Sequence, residues 1–208
     1  MNYKTPQEAF WAGSFGNEYL QRNRGDHIIA ANLALFGSVF QNTGHIESIL
    51  ELGSNIGLNC RAIRTLLPHA SITAVEINET AAKACRETGC AEVHNVSILD
   101  FQPKQKWDLV FTKGVLIHLQ PETLPAVYDL MYQASSRYLM VCEYYNPSPV
   151  TISYRGHEDR LFKRDFAGEI LAKFSDLRLV SYGFKYRRDP NFPQDDLTWF
   201  LLEKRQSA

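Results

Sequence analysis

Ile49-Leu-Glu-Leu-Gly53-Ser-Asn-Ile-Gly57 is the stretch that decides the fold. An apolar run, Ile46–Leu52, ends in a turn with two glycines, and a helical pattern over 57–67 follows. A second apolar run, Ile72–Ile77, comes next and closes on Ala74-Val-Glu76-Ile-Asn. Glycines at a strand-to-helix turn let something approach the backbone closely. Glu76 lies 23 residues after Gly53, the spacing at which an acidic side chain grips the hydroxyls of an adenosine ribose.

Outward from this unit the alternation continues. Strand-like runs are Glu92–Asn95, Trp107–Thr112 and Tyr138–Glu143, with helical stretches over Glu79–Thr88 and Glu122–Ser136. Short apolar strands separated by helices predict an α/β fold: a Rossmann-like, doubly wound, mostly parallel sheet with helices on both faces. Towards the C-terminus, Asp165–Phe174 reads as a helix capped by Asp165. Arg178–Arg187 and Leu197–Glu203 read as strands, and the link between them is too short for a helical crossover. That forces an antiparallel C-terminal strand. Residues 1–25 read as an irregular, aromatic-rich segment, and Asp26 as the cap of a helix over 27–41. The expectation is one domain over 1–208, with an N-terminal lid and helix segment over 1–45 and a substrate-side insertion over 146–175.

Length and composition narrow the function. A chain of 208 residues, 45% hydrophobic and 22% charged, buries a full core without metals or disulfides. The net charge of -1 gives no pull towards nucleic acid or an anionic membrane. No apolar run approaches a membrane span, and no secretory signal is visible at the start, so a cytoplasmic protein is expected. Cys60, Cys85, Cys90 and Cys142 have no metal-ligand spacing, and no metal is expected.

The turn also bears on the cofactor. A dinucleotide fingerprint needs a middle glycine for the pyrophosphate, and Asn55 stands there. S-adenosylmethionine has no pyrophosphate. On Glu51-x-Gly53-x-x-x-Gly57, Glu76, Ser97-Ile-Leu-Asp100 and Asp108-Leu-Val-Phe-Thr-Lys-Gly-Val-Leu-Ile-His118, the chain resembles the class I S-adenosylmethionine-dependent methyltransferases. The likeness covers about residues 46–145. It implies S-adenosylmethionine as cofactor, held by Glu51, Gly53, Ser54, Asn55, Gly57, Glu76, Ile77, Ser97, Ile98 and Lys113, with the adenine contact at Ser97 or Asp100. A closer likeness, on Phe10-Trp-Ala-Gly-Ser-Phe-Gly-Asn-Glu-Tyr19-x-x-Arg22-Asn23 and Tyr154-Arg-Gly-x-x-Asp159-x-Leu-Phe-Lys-Arg-Asp165-Phe, is to the methylases associated with pseudaminic acid biosynthesis. It implies a nonulosonic or nucleotide-linked sugar as acceptor, in bacterial surface-glycan biosynthesis.

The crevice of a doubly wound sheet lies beyond the carboxyl ends of its strands. His118 is therefore the first candidate base for an oxygen acceptor, Glu143 the second, and Asp159 and Asp165 the third. Tyr19 and Arg22, on a segment able to fold over the cofactor, are candidates for its carboxylate. Tyr144, Tyr145, Tyr154, Arg155, Lys163 and Arg164 are candidates for an acidic, flat acceptor. The expectation is methyl transfer to nitrogen or oxygen of a small acceptor, probed against transfer to another metabolite and against a non-catalytic cofactor-binding module.

Overall fold

A computed structural model describes residues 3–22, 25–154 and 156–205; the side chains of residues 21, 22, 157, 158 and 159 also lie outside the description. Asn23 and Arg155, and the side chains of Arg22 and Asp159, thus fall outside it.

Seven strands form one sheet: β1 (Ser48–Leu52), β2 (Ser71–Glu76), β3 (Glu92–Asn95), β4 (Trp107–Lys113), β5 (Ser135–Glu143), β8 (Leu177–Lys185) and β9 (Leu197–Lys204), in the order β3-β2-β1-β4-β5-β9-β8. The pairings from β3 through β5 are parallel. β9 runs antiparallel between β5 and β8. The expected architecture is therefore observed, down to the antiparallel strand at the C-terminus. The strand order reverses at β1 and β4, and that reversal opens the crevice at their carboxyl ends.

Period-two alternation sorts the strand side chains to two faces. Ile49, Phe111, Met140 and Trp199 meet α3 (Asp26–Phe40), α4 (Leu58–Leu66) and α5 (Glu79–Glu87), through Phe36, Val39, Ile63 and Cys85. Leu50, Val110, Leu139 and Val141 meet α6 (Leu124–Ala134) and α7 (Phe166–Lys173), through Val127, Met131, Phe166 and Ile170. Burial of both sheet faces explains why these strands are continuous apolar runs.

Two expectations need correction, and a hairpin the sequence reading did not include is added. Residues 6–22 are two helices, α1 (Pro6–Ala12) and α2 (Ser14–Arg22). Thr5 caps α1: its hydroxyl accepts from the Glu8 amide while Glu8 accepts from the Thr5 amide, and Pro6 fills the first helical position, where its missing N–H costs nothing. Asp26 is not a cap but the first residue of α3, behind Gly25. The insertion carries a hairpin, β6 (Val150–Tyr154) against β7 (His157–Lys163), before α7. Asp165 caps α7 as expected, accepting from the Gly168 amide.

Candidate functional site

Two cavities meet at the carboxyl ends of β1, β2 and β4. The turn after β1 is wound by three alternate left-handed positions: Gly53 at φ +84°, Asn55 at +49° and Gly57 at +80°. A Cβ at Gly53 would sit 2.6 Å from a Val115 methyl, and one at Gly57 2.6 Å from the Cys85 sulfur. Asparagine is the side chain that best tolerates this conformation, which explains how Asn55 replaces a glycine. The Glu76 carboxylate accepts the Asn55 amide at 2.7 Å and the Asn78 amide at 2.8 Å. Burial pushes its pKa up, opposed by those amide bonds.

The first cavity is lined by Gly53, Asn55, Glu76, Ile77, Asn78, Ser97, Ile98, Lys113 and Gly114 from the sheet side. Gln7, Glu8, Trp11, Gly16, Tyr19 and Leu20 of α1 and α2 close it from above. α1 and α2 thus cover this cavity. Asn78 ties them down: its side-chain amide donates to the Trp11 carbonyl at 3.1 Å and to Asn17 Oδ1 at 3.0 Å. A Cβ at Gly16 would strike the Trp11 carbonyl at 1.9 Å, so that closeness requires glycine.

The second cavity is lined by His27, Ala31 and Asn32 of α3, by Tyr144 and Tyr154, and by Arg187, Gln194 and Asp195 between β8 and β9. It shares Tyr19, Lys113, Gly114 and His118 with the first. The Gln194 side-chain N–H donates to the Ala31 carbonyl at 2.8 Å. Gln194 Oε1 and Asn32 Oδ1 are buried and accept no hydrogen bond among the described residues. Such atoms call for donor groups from whatever enters.

His118 is 7% exposed and lies between the rings of Trp11 and Tyr154, at 4.6 and 4.9 Å. Its Nδ1 donates to the Arg160 carbonyl at 2.8 Å, which leaves Nε2 with the lone pair. Burial holds its pKa down at about 4.

Several expected residues sit elsewhere. Glu51 shares the Ile49 face of β1, under α4, and its carboxylate accepts from Asn59 at 2.6 Å and from the Cys60 thiol at 3.0 Å. Burial pushes it up to about 7, and it holds the start of α4 without lining either cavity. Ser54 is buried behind the turn, and Gly57 shapes it from outside the cavity wall. Glu143 accepts the amides of Val115 and Leu116 and supports the turn beneath His118, so it positions the site and touches no cavity. Asp100 pairs with Lys4 outside the first cavity, which leaves Ser97 in its wall. Tyr145 is exposed beside Phe200, Lys163 covers the Tyr144 ring, and Arg164 pairs with Glu169 at 2.7 Å; none of the three lines the second cavity. Asp165 is occupied by its cap. No group of metal-ligating side chains occurs among the described residues, and no helix there is long and apolar enough to cross a membrane.

Residues 49–136 match the family model described as a methyltransferase domain. No curated protein matches the chain by sequence. Among solved structures, the magnesium protoporphyrin IX methyltransferase of Synechocystis PCC 6803 with bound S-adenosylmethionine shares the fold at a TM-score of 0.66 and 11% identity, covering 98% of this chain and 100% of that one. The plantazolicin methyltransferase BpumL with S-adenosylhomocysteine does so at 0.68 and 15%, covering 96% and 94%. The N-terminal domain of EvdMO1, solved in the presence of S-adenosylhomocysteine and D-fucose, does so at 0.61 and 14%, covering 85% and 83%. Residues 49–136 thus match a methyltransferase domain, and the chain shares the Rossmann-like fold of these S-adenosylmethionine- and S-adenosylhomocysteine-bound methyltransferases. The first cavity suits the cofactor bound in those structures: the turn leaves room only for backbone at Gly53, Asn55 Oδ1 is buried without a hydrogen-bond partner among the described residues, and Glu76 lines the wall.

Two outcomes are expected. Glu76→Ala weakens S-adenosylhomocysteine binding, read by calorimetric titration, by about 1–3 kcal/mol, the cost of charge-assisted hydrogen bonds. His118 is held below its ordinary value of 6.5 in the folded state, so its contribution to stability is complete above pH 6.5 and is lost as pH falls through about 4. Denaturant unfolding at pH 7 and pH 4.5 then shows a smaller acid loss for His118→Gln than for wild type, by about 2 kcal/mol.

Proposed function

We propose that the chain moves a methyl group from S-adenosylmethionine to a nitrogen or oxygen of a small, sugar-derived acceptor held in the second cavity. The acceptor is of the nonulosonic or nucleotide-linked sugar type, and the reaction serves bacterial surface-glycan biosynthesis in the cytoplasm. One observation carries the reading: His118 stands in the wall common to both cavities, with its tautomer set by the Arg160 carbonyl.

When bound, S-adenosylmethionine supplies a methyl group already activated as a sulfonium. The chain has to align a nucleophile with it in a dry space. α1 and α2 exclude water from above, and Trp11 and Tyr154 do so around His118. Gly53, Asn55, Glu76 and Ser97 would hold the cofactor in the first cavity and offer its methyl carbon to the acceptor lone pair, with sulfur as the group that keeps the carbon–sulfur electrons. An oxygen acceptor must lose its proton, and His118 Nε2 receives it. A pKa of about 4 is low for a base, but it keeps the imidazole unprotonated at working pH, and a methylated hydroxyl is a far stronger acid than an imidazolium. A nitrogen acceptor needs only to arrive neutral.

The sugar assignment is supported by the polar lining of the second cavity. Asn32 Oδ1 and Gln194 Oε1 match hydroxyl or amine donors, Tyr144 and Tyr154 offer flat walls, and Lys113 and Arg187 offer cations to a carboxylate or phosphate. The likeness of 10–23 and 154–166 to the pseudaminic-acid-associated methylases points the same way, and a neighbour in fold was solved in the presence of S-adenosylhomocysteine and D-fucose.

The test incubates the protein with methyl-labelled S-adenosylmethionine and a panel of nonulosonic acids, amino sugars and nucleotide-activated sugars, and locates the label by mass spectrometry. Label on a sugar nitrogen or oxygen supports the proposal; label only on non-sugar metabolites of a cell extract overturns the acceptor class. With the acceptor found, His118→Ala lowers turnover by about 10²–10⁴-fold for an oxygen acceptor and leaves S-adenosylhomocysteine affinity near wild type.

A further inference from the structure

The base-recognition end of the first cavity has an unexpected owner. The acid implied after β3 is absent from the wall: Ser97 stands there, while Asp100 points away to Lys4. A carboxylate reaches the same place from another element. Glu8 of α1 is 5% exposed, lines the cavity beside Ser97, Ile98 and Leu99, and accepts the Ser97 hydroxyl through Oε1. Its other oxygen is taken by the Thr5 amide at 3.1 Å and the Lys4 amide. The carboxylate is thus held from three sides, and Oε1 keeps a lone pair for one further donor.

We propose that Glu8, on the covering helix, reads the exocyclic amino group of the adenine, in place of an acid on the sheet. Ser97 positions it. The assignment rests on the cofactor reading above. It gives the lid a chemical task besides excluding water: closure of α1 brings the specificity-determining carboxylate onto the base, so base recognition and lid closure are one event. An amino group donates to the carboxylate, whereas a 6-oxo group in its place sets oxygen against oxygen. A site built to receive a hydrogen bond rejects the analogue that lacks the donor.

The experiment measures calorimetric affinities for S-adenosylhomocysteine and S-inosylhomocysteine, which differ only at that position of the base and its adjoining ring proton. The wild-type chain prefers the adenosyl ligand by about 10-fold or more. Glu8→Gln, which keeps the shape and a capping oxygen, reduces the preference to about 3-fold or less. Asp100→Asn leaves it at the wild-type value. If Glu8 only caps α1, Glu8→Gln weakens both ligands alike and the ratio is unchanged, which overturns the proposal. A ratio that follows Asp100 overturns it too. Failure of both ligands to bind the wild-type chain overturns the cofactor reading itself, and a preserved preference in a Glu8→Gln chain that binds normally overturns this assignment alone.

Discussion

The hydrogen bond from the Asn55 amide to the Glu76 carboxylate, 2.7 Å long, is the contact on which the site depends. It joins the turn after β1 to the end of β2. With the Gly53 and Ser54 amides on the Val75 carbonyl, it holds the left-handed positions at 53, 55 and 57, a backbone conformation that most side chains resist. The same carboxylate reaches Asn78, and Asn78 reaches the lid. One chain of hydrogen bonds thus runs from the first turn, through Glu76, to the helices that cover the cavity. It makes the turn and the covering helices mechanically continuous.

The buried acids divide the remaining work. Glu51 and Glu143 both lie at strand ends under the loops that form the cleft, and both are pushed up to about 7 by burial. Neither touches a cavity. Each spends its oxygens on neighbours, Glu51 on Asn59 and Cys60, Glu143 on the amides of Val115 and Leu116. Glu143 thereby fixes the turn that carries Gly114 and His118 between the two cavities, while Glu51 fixes the start of α4. His118 is left with a single fixed tautomer and an aromatic enclosure, a suitable arrangement for a proton acceptor that must remain neutral.

Much of the sheet was legible because its strands are buried on both faces and therefore appear as unbroken apolar runs. The antiparallel β9 followed from a linker too short to cross over. The glycine turn was legible because its left-handed backbone at 53 and 57 favours glycine, and Glu76 because it ends the next strand at a fixed spacing. The N-terminal helices were hidden by their glycines, although Thr5-Pro-Gln-Glu8 is a capping box visible in the sequence. Glu51 and Glu143 carry the right chemistry, but the strand alternation and the loop amides that claim them appear only in three dimensions. Asn32 and Gln194 are far apart in the chain and carry no local signal; only the packing of the β8–β9 connection against α3 brings them to one cavity.

The most direct measurement is a crystal structure grown with S-adenosylhomocysteine. The account predicts the ligand between the turn at 53–57 and the covering helices, its ribose hydroxyls on Glu76 and its thioether facing the wall that holds His118. A ligand bound elsewhere, or that space filled by the protein's own side chains, would contradict it.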